Sequence, residues 1–597
     1  MLHGTRTRRL AILAQDPGVR LRNGAVVMAA IEVPMEPVDP GPCGHRVKVV
    51  DYDASADLLY TAAPLNLVRG EDAYLAQIGR PDNTDLVRDR QFHAQNVYAI
   101  AMRVLTRFEQ ALGRRVAFSF DGHQLHIAPH AFADANAFYS EESRVLCFGY
   151  FQDAHGNPVF TCLAHDVVAH EATHALLDAL KTRYTDPSSP DQAGFHEGFA
   201  DVVALLSVFA LEDVVSQLLP GGEGAGTGEG VPVLPAAALR PYDPQHPDAP
   251  CLENSVLVGL AEQLGTALSA GRERALRRSV TRDFTGWRED PEFDEPHLRG
   301  EVLVAAFMRA FLRIWRKRLG DFGSQLERRI SRQLVVEEGA KVAEHLLNMA
   351  IRALDYAPPT DIQFADYLSA LLTADAVAVP DDWRYQYRRT LAEEFAGVGI
   401  EPAPGSDANG CWQAFDSPER LDYSAVHADA LRGDREELFR FVWDNRKALD
   451  VDERAYTRVL SVRPAVRVAP DGFVVRETVA DYLQILEVDA GELKAFGVAK
   501  PPGLPDEQRL RLYGGGALIF DEHSVLRYHV NNRVLNPTKQ SARLAHLARM
   551  GYFVAGRDQQ GFFARLHRLR MGLHEPLEEG WSDVHSEPAE LAAGEGG

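Results

Sequence analysis

The chain has 597 residues, 46% of them apolar and 25% charged, the composition of an ordinary globular protein with length for two to four domains. A formal charge of −22 excludes a general nucleic-acid binder, because a polyanion would be repelled over most of the surface. Five cysteines with no CxxC pair exclude a disulfide framework, and no uncharged apolar run is long enough to cross a bilayer. The opening residues lack a secretory apolar segment, so the expected location is cytoplasmic, with neither membrane nor nucleic acid as partner.

In chain order, residues 1–90 mix short apolar runs with Pro and Gly and end in the strand-like HRVKVVDYD, a β-rich lead-in. Residues 91–160 open with AQNVYAIAMRVLTRFEQAL, whose apolar positions recur at three and four, a helix. The strand patterns VAFSF, LHIAP and VLCFGYF follow and make this a β-rich lobe. Residues 161–401 read as helical, with long patterns at Glu301–Arg318 and Gln333–Leu354 and two shorter ones ending near EEFAGVGI. The glycine-rich LPGGEGAGTGEGVPVLP interrupts them as a surface loop, and EPAPGSDANG at 401–410 reads as a linker. Residues 411–575 form an α/β extension with a hairpin in ALIFDEHSVLRYHV turning at Asp521–Ser524, and the acidic 576–597 is expected to be disordered. The fold class is α+β.

The chemistry is concentrated in VVAHEATHALLDAL, which sets two histidines and a glutamate in an apolar run. His170, Glu171 and His174 form an HExxH, and positions i and i+4 of a helix share a face, so both imidazoles can reach one metal ion. Glu171 can reach a water on that metal without binding it. Two satisfied core histidines would explain the motif equally, were it alone. The next helical stretch, GFHEGFADVVALLSVF, weakens that reading. A catalytic zinc site takes a third protein ligand and leaves a fourth position for water. Glu197 supplies the third ligand, and Asp201, four residues on, accepts the other N–H of a ligating histidine. His196 is a rival ligand.

HExxH followed by E-x-x-x-D resembles the thermolysin-like neutral metallopeptidases, whose zinc is held by His, His and Glu. The resemblance spans about residues 90–400. Asn136-Ala137-Phe138-Tyr139 resembles the family's edge-strand motif that holds the substrate backbone. Leu239-Arg240 with Asp243-Pro244 resembles its Leu-Arg…Asp-Pro element, whose arginine binds a substrate carbonyl. Asp294 and His297 match the Asp…His-x-x-Gly entry to the helix that carries the catalytic histidine, and AEEFAGVGI is similar to the closing helix.

The resemblance implies a β-rich lobe, a central zinc-binding helix and a mostly helical second lobe. It implies one catalytic Zn2+, Glu171 as general base, and His297 with Tyr184 as donors to the oxyanion. Asp294 would orient His297, and Val167 and Leu239 would line the pocket for the residue after the cleaved bond. His345 competes for the donor role, but its apolar flanks suggest a core position. The activity implied is that of a zinc metalloendopeptidase acting on peptide or protein substrates.

Two departures stand out: His196 replaces the family's asparagine, and Val208 stands where a calcium-binding carboxylate is expected, although Asp166 matches another. Calcium is therefore not expected to be required. Two alternatives stay open. One is an inactive zinc scaffold closed by His196, whose C-terminal extension binds a protein partner. The other has Cys43 cap the zinc as an inhibitory thiolate. Under the peptidase reading, truncation near Glu401 should spare hydrolysis of small peptides.

Overall fold

The computed structural model describes residues 6–553 except 19, 22, 121, 154, 220–232, 236–281, 324–328, 417–419 and 469–471. Helices and strands are mixed, an α+β arrangement. The acidic segment 576–597 lies outside the described residues. So does the glycine-rich loop, except for Val233–Pro235, which pairs as a strand with Arg329–Ser331.

The first 90 residues are not a separate lead-in. Strands β1 (Thr7–Leu13) and β2 (Met28–Pro34) pair antiparallel, and Leu10–Leu13 are fully buried in the main core. β3 (Val47–Val49) enters the central sheet parallel to a strand almost eighty residues later, because the burial of Val47 and Val49 is completed only there. Helix α1 (Arg90–Leu112) starts where the Asp89 carboxylate accepts from the Gln91 and Phe92 amides. It stops at Gly113, whose φ of 68° is the left-handed cap that glycine adopts without strain.

The central sheet is completed by β4 (Leu125–Phe132), β5 (Ala137–Ser140), β6 (Val145–Gln152) and β7 (Pro158–Phe160). β6 runs parallel to β4 on one side and antiparallel to β5 and β7 on the other. Among the described residues β5 pairs with β6 alone, so it is an edge strand. VAFSF, expected as a strand, is irregular. The Val116 amide donates to Glu109 and its carbonyl accepts from Arg46, so side chains take groups a strand ladder would use, and Phe118 stacks on Phe120 with ring centroids 5.2 Å apart.

The helical lobe comprises α2 (His165–Leu180), α3 (Pro190–Phe209), α4 (Glu212–Leu218), α5 (Pro296–Gly323), α6 (Arg332–Ala353), α7 (Phe364–Ala378) and α8 (Tyr387–Gly397). Every residue of α2 except Asp166 is buried, as for a helix enclosed on all sides. α3 begins with the Ser189 hydroxyl accepting from the Gln192 amide and with Pro190 at its first position. Among the described residues no helix is long and apolar enough to cross a membrane, and none of the four cysteines is in a disulfide.

Residues 401–410 do not behave as a free linker. The Ala403 amide donates to Ser369 Oγ at 2.9 Å on α7, and the Trp412 indole donates to the Tyr356 carbonyl at 2.9 Å. Beyond lie α9 (Arg435–Asp444), β8 (Tyr456–Val468), β9 (Val474–Asp489), β10 (Arg509–Phe520), β11 (Leu526–Asn532) and α10 (Pro537–Arg549). The four strands form an antiparallel meander, and the β10–β11 turn falls at Asp521–Ser524 as the sequence pattern implies. Residues two apart share a sheet face. Ala517 and Ile519 therefore join the main core, while Leu518 and Phe520 pack with Leu438 and Phe441 of α9 in a second one. The extension is thus continuous with the helical lobe.

Candidate metal centre

His170 and His174 are one helical turn apart on α2, and both direct Nε2 to the same point, 2.9 Å from each other. Glu197 on the adjacent α3 brings Oε2 to 3.4 Å from His170 Nε2 and 3.6 Å from His174 Nε2. All three side chains are buried, Glu197 with 0% exposure. Zinc bonds of about 2.0–2.2 Å in a tetrahedron place ligand atoms about 3.3–3.5 Å apart. The three separations lie around that value, so the donor set fits a metal ion. A carboxylate and two imidazoles brought together out of water are groups whose donor chemistry suits a cation.

The far nitrogens of both imidazoles are also engaged. His170 Nδ1 lies 2.8 Å from Asp201 Oδ1, one turn along α3 from Glu197. His174 Nδ1 lies 2.8 Å from His196 Nδ1, and the two rings stack with centroids 4.7 Å apart. An imidazole that binds a metal through Nε2 donates from Nδ1, so Asp201 and His196 are placed to fix tautomer and orientation. His196, the rival ligand, is therefore on the far side of His174. It acts on the ring rather than closing the site. Burial disfavours charge on His170, but the carboxylates of Asp201, Glu197 and Glu171 outweigh it and raise its pKa to about 9. The surrounding carboxylates thus favour positive charge at this position. Glu171, buried beside His170, is the remaining carboxylate.

His297 arrives from the first turn of α5, with Nε2 3.1 Å from Glu197 Oε2. Two glycines permit this approach. A Cβ at Gly198 would lie 2.7 Å from the Gly300 carbonyl oxygen, and one at Gly300 would lie 2.7 Å from the Gly198 amide nitrogen. Only bare backbone lets α3 and α5 cross so closely next to Glu197 and His297. The crossing is pinned by Arg299, which donates to Asp191 Oδ1 at 2.7 Å and to the Phe293 carbonyl at 3.0 Å.

Two expectations need correction, and one alternative falls. Asp294 does not orient His297. Glu295 does, with Oε1 2.6 Å from His297 Nδ1, while Asp294 faces Arg549 at 3.0 Å and His546 at 3.6 Å. The extension claims Asp294 because α10 brings two basic side chains to it. Tyr184 is not a free donor either. Its buried hydroxyl donates to the Pro358 carbonyl at 2.6 Å, and its ring packs edge-on against Phe195. Cys43 does not cap the cluster: its Sγ accepts from Gln124 Nε2 at 3.5 Å, and the metal-capable group consists of His170, His174 and Glu197. His345 lies 3.5 Å from Asp375 and beside the Tyr387 ring.

β5, carrying Ala137, packs beside α2, and Tyr139 Oη donates to Asp178 Oδ2 of that helix at 2.9 Å. The Asn136 carbonyl accepts from the Gly149 amide at 2.8 Å, and its side chain accepts from the Ala137 amide at 2.7 Å. Val167 is buried on α2, and Val208 packs in the core where a calcium-binding carboxylate was expected. Leu239 and Arg240, with Asp243 and Pro244, lie outside the described residues.

Sequence reasoning missed Glu295, the orienting role of His196 and the Gly198–Gly300 crossing. Glu295 had a signal in its place two residues before His297, within a run of acids that the spacing could not rank. No family model matches the chain, and no curated protein matches it.

Proposed function

We propose that the chain is a zinc-dependent peptidase that hydrolyses peptide bonds. The observation that carries this reading is the convergence of His170 Nε2, His174 Nε2 and Glu197 Oε2, with Asp201 behind one imidazole and His196 behind the other. His170, His174 and Glu197 would hold the ion, which when bound polarises a water and the scissile carbonyl.

The chain's own residues do the rest. Glu171 takes a proton from the attacking water and passes it to the leaving amine nitrogen. His297, held at Nδ1 by Glu295, donates from Nε2 to the developing oxyanion. β5, which among the described residues pairs with β6 alone, would offer backbone groups to an extended substrate lying alongside α2. Burial of the cluster strengthens each of these electrostatic interactions.

Glu171→Gln tests the reading. The variant should keep its metal and lose about 10²-fold or more of peptide turnover. Unchanged turnover would remove Glu171 from the base role, and a purified chain with no transition metal would remove the proposal itself.

A further inference from the structure

A second buried group, unrelated to the HExxH cluster, has the donor set of a metal site. His93 on α1, His130 on β4 and Cys162 in the turn leading into α2 are each essentially inaccessible, at 0%, 1% and 0% exposure. Their ligand atoms all lie within 4.8 Å of one another. His93 Nδ1 and His130 Nε2 face each other at 2.8 Å.

The outer nitrogens decide what that contact means. His93 Nε2 lies 3.0 Å from the Val87 carbonyl oxygen, which can only accept, so Nε2 carries the hydrogen. His130 Nδ1 lies 2.8 Å from Asp51 Oδ1, and the carboxylate likewise accepts. Two neutral imidazoles so arranged point their remaining lone pairs at one another. Either a shared proton or a metal cation must occupy the contact between the two rings. A carbonyl behind one imidazole and a carboxylate behind the other is the outer support that ligating histidines have. A thiol within reach of both gives a third ligand.

We propose that His93 Nδ1, His130 Nε2 and Cys162 Sγ bind a divalent ion of the zinc class. Binding converts the Cys162 thiol to a metal-bound thiolate and releases its proton to solvent. A dication, one thiolate and the Asp51 carboxylate sum to zero charge, which suits an interior from which water is excluded. Phe160 covers the pair, with ring centroids 4.8 Å from His93 and 5.4 Å from His130. All three donors are buried away from bulk solvent, which suits a structural role for the ion. It ties α1 and β4 to the turn from which the HExxH helix starts.

Thiolate ligation separates this site from the catalytic cluster, whose donors include no sulfur. The test uses the full chain, stripped of metal and reloaded with Co2+. The expected result is a near-ultraviolet thiolate-to-cobalt charge-transfer band and about two bound ions per chain. Cys162→Ala should abolish the band and leave about one ion, whereas His174→Ala should keep the band. Absence of the band in the unmutated chain, or its survival in Cys162→Ala, overturns the proposal. Should Cys162→Ala not fold, His130→Gln serves as the second variant, and an undiminished band there is equally fatal.

Discussion

Lys181 Nζ, at the end of the helix that carries HExxH, lies 2.9 Å from Asp481 Oδ1 on β9, 300 residues later, with both side chains buried. The same ammonium donates to the Ala357 carbonyl at 2.9 Å. Beside it, Arg114 makes a two-pronged contact with Asp355 at 2.6 Å, and Arg467 on β8 bridges Asp355 and Glu477. A row of buried charges on the helical lobe is therefore neutralised by the C-terminal sheet.

This arrangement reverses the expectation that truncation near Glu401 spares hydrolysis. Removing the sheet would leave Lys181 without its carboxylate and Asp355 without Arg467. Removing one partner of a buried pair costs about 3–5 kcal/mol. Asp481→Ala should thus lower the thermal midpoint markedly, while Lys181→Met with Asp481→Leu should recover much of the loss. A chain ended at 401 should be insoluble or unable to turn over small peptides. An active, soluble truncation would refute the structural role assigned to the sheet.

The Gly198–Gly300 crossing sets the distance between Glu197 and His297. Gly300→Ala adds a methyl 2.7 Å from the Gly198 amide nitrogen, a backbone atom that cannot yield as a flexible side chain would. The helices must separate, so turnover should fall by about 10²-fold with far less effect on metal content. The check is kcat measured alongside bound metal. Equal loss of both would mean that the crossing supports the metal cluster as a whole.

Glu295 and Asp294 are adjacent acids with separate duties. Glu295→Gln leaves His297 a weaker acceptor at Nδ1 and should reduce kcat on the order of 10-fold with KM little changed. Asp294→Asn weakens only the contacts to Arg549 and His546, so it should shift the thermal midpoint and leave kcat alone. Steady-state kinetics on both variants distinguish the two, and a reversed pattern would restore Asp294 to the orienting role.

Asp178 couples pH to the strand expected to receive substrate. Its carboxylate accepts from Tyr139 and Ser119, and burial, reinforced by Glu141, pushes its pKa up to about 7. A group raised in the folded state contributes stability that is complete below its unfolded pKa of about 3.9. That contribution is lost as pH rises through about 7. Asp178→Asn cannot ionise, so its thermal midpoint should fall less than the unmutated chain's between pH 5 and pH 8. Parallel profiles would show that Asp178 titrates normally.

Local periodicity sufficed for the elements whose pattern is set along one segment. α1, α5, α6 and the β10–β11 hairpin could be read from spacing, because an amphipathic helix or strand states its buried face in its own residues. The HExxH face was legible for the same reason, since i and i+4 meet on any helix. Glu197 was readable only as a candidate, because nothing along the chain says which way α3 turns towards α2.

Tertiary packing decided everything that depends on two segments meeting. It set His196 behind His174, gave His297 to Glu295 rather than Asp294, and turned the Tyr184 hydroxyl to Pro358. It also gathered His93, His130 and Cys162 from three separate elements with no common spacing. It made the C-terminal sheet part of the core, because buried Lys181 takes its carboxylate from Asp481 and Asp355 takes a second guanidinium, beside Arg114, from Arg467. Sequence states which groups a helix or strand presents. Which groups must be satisfied together is settled only when burial removes water as the alternative partner.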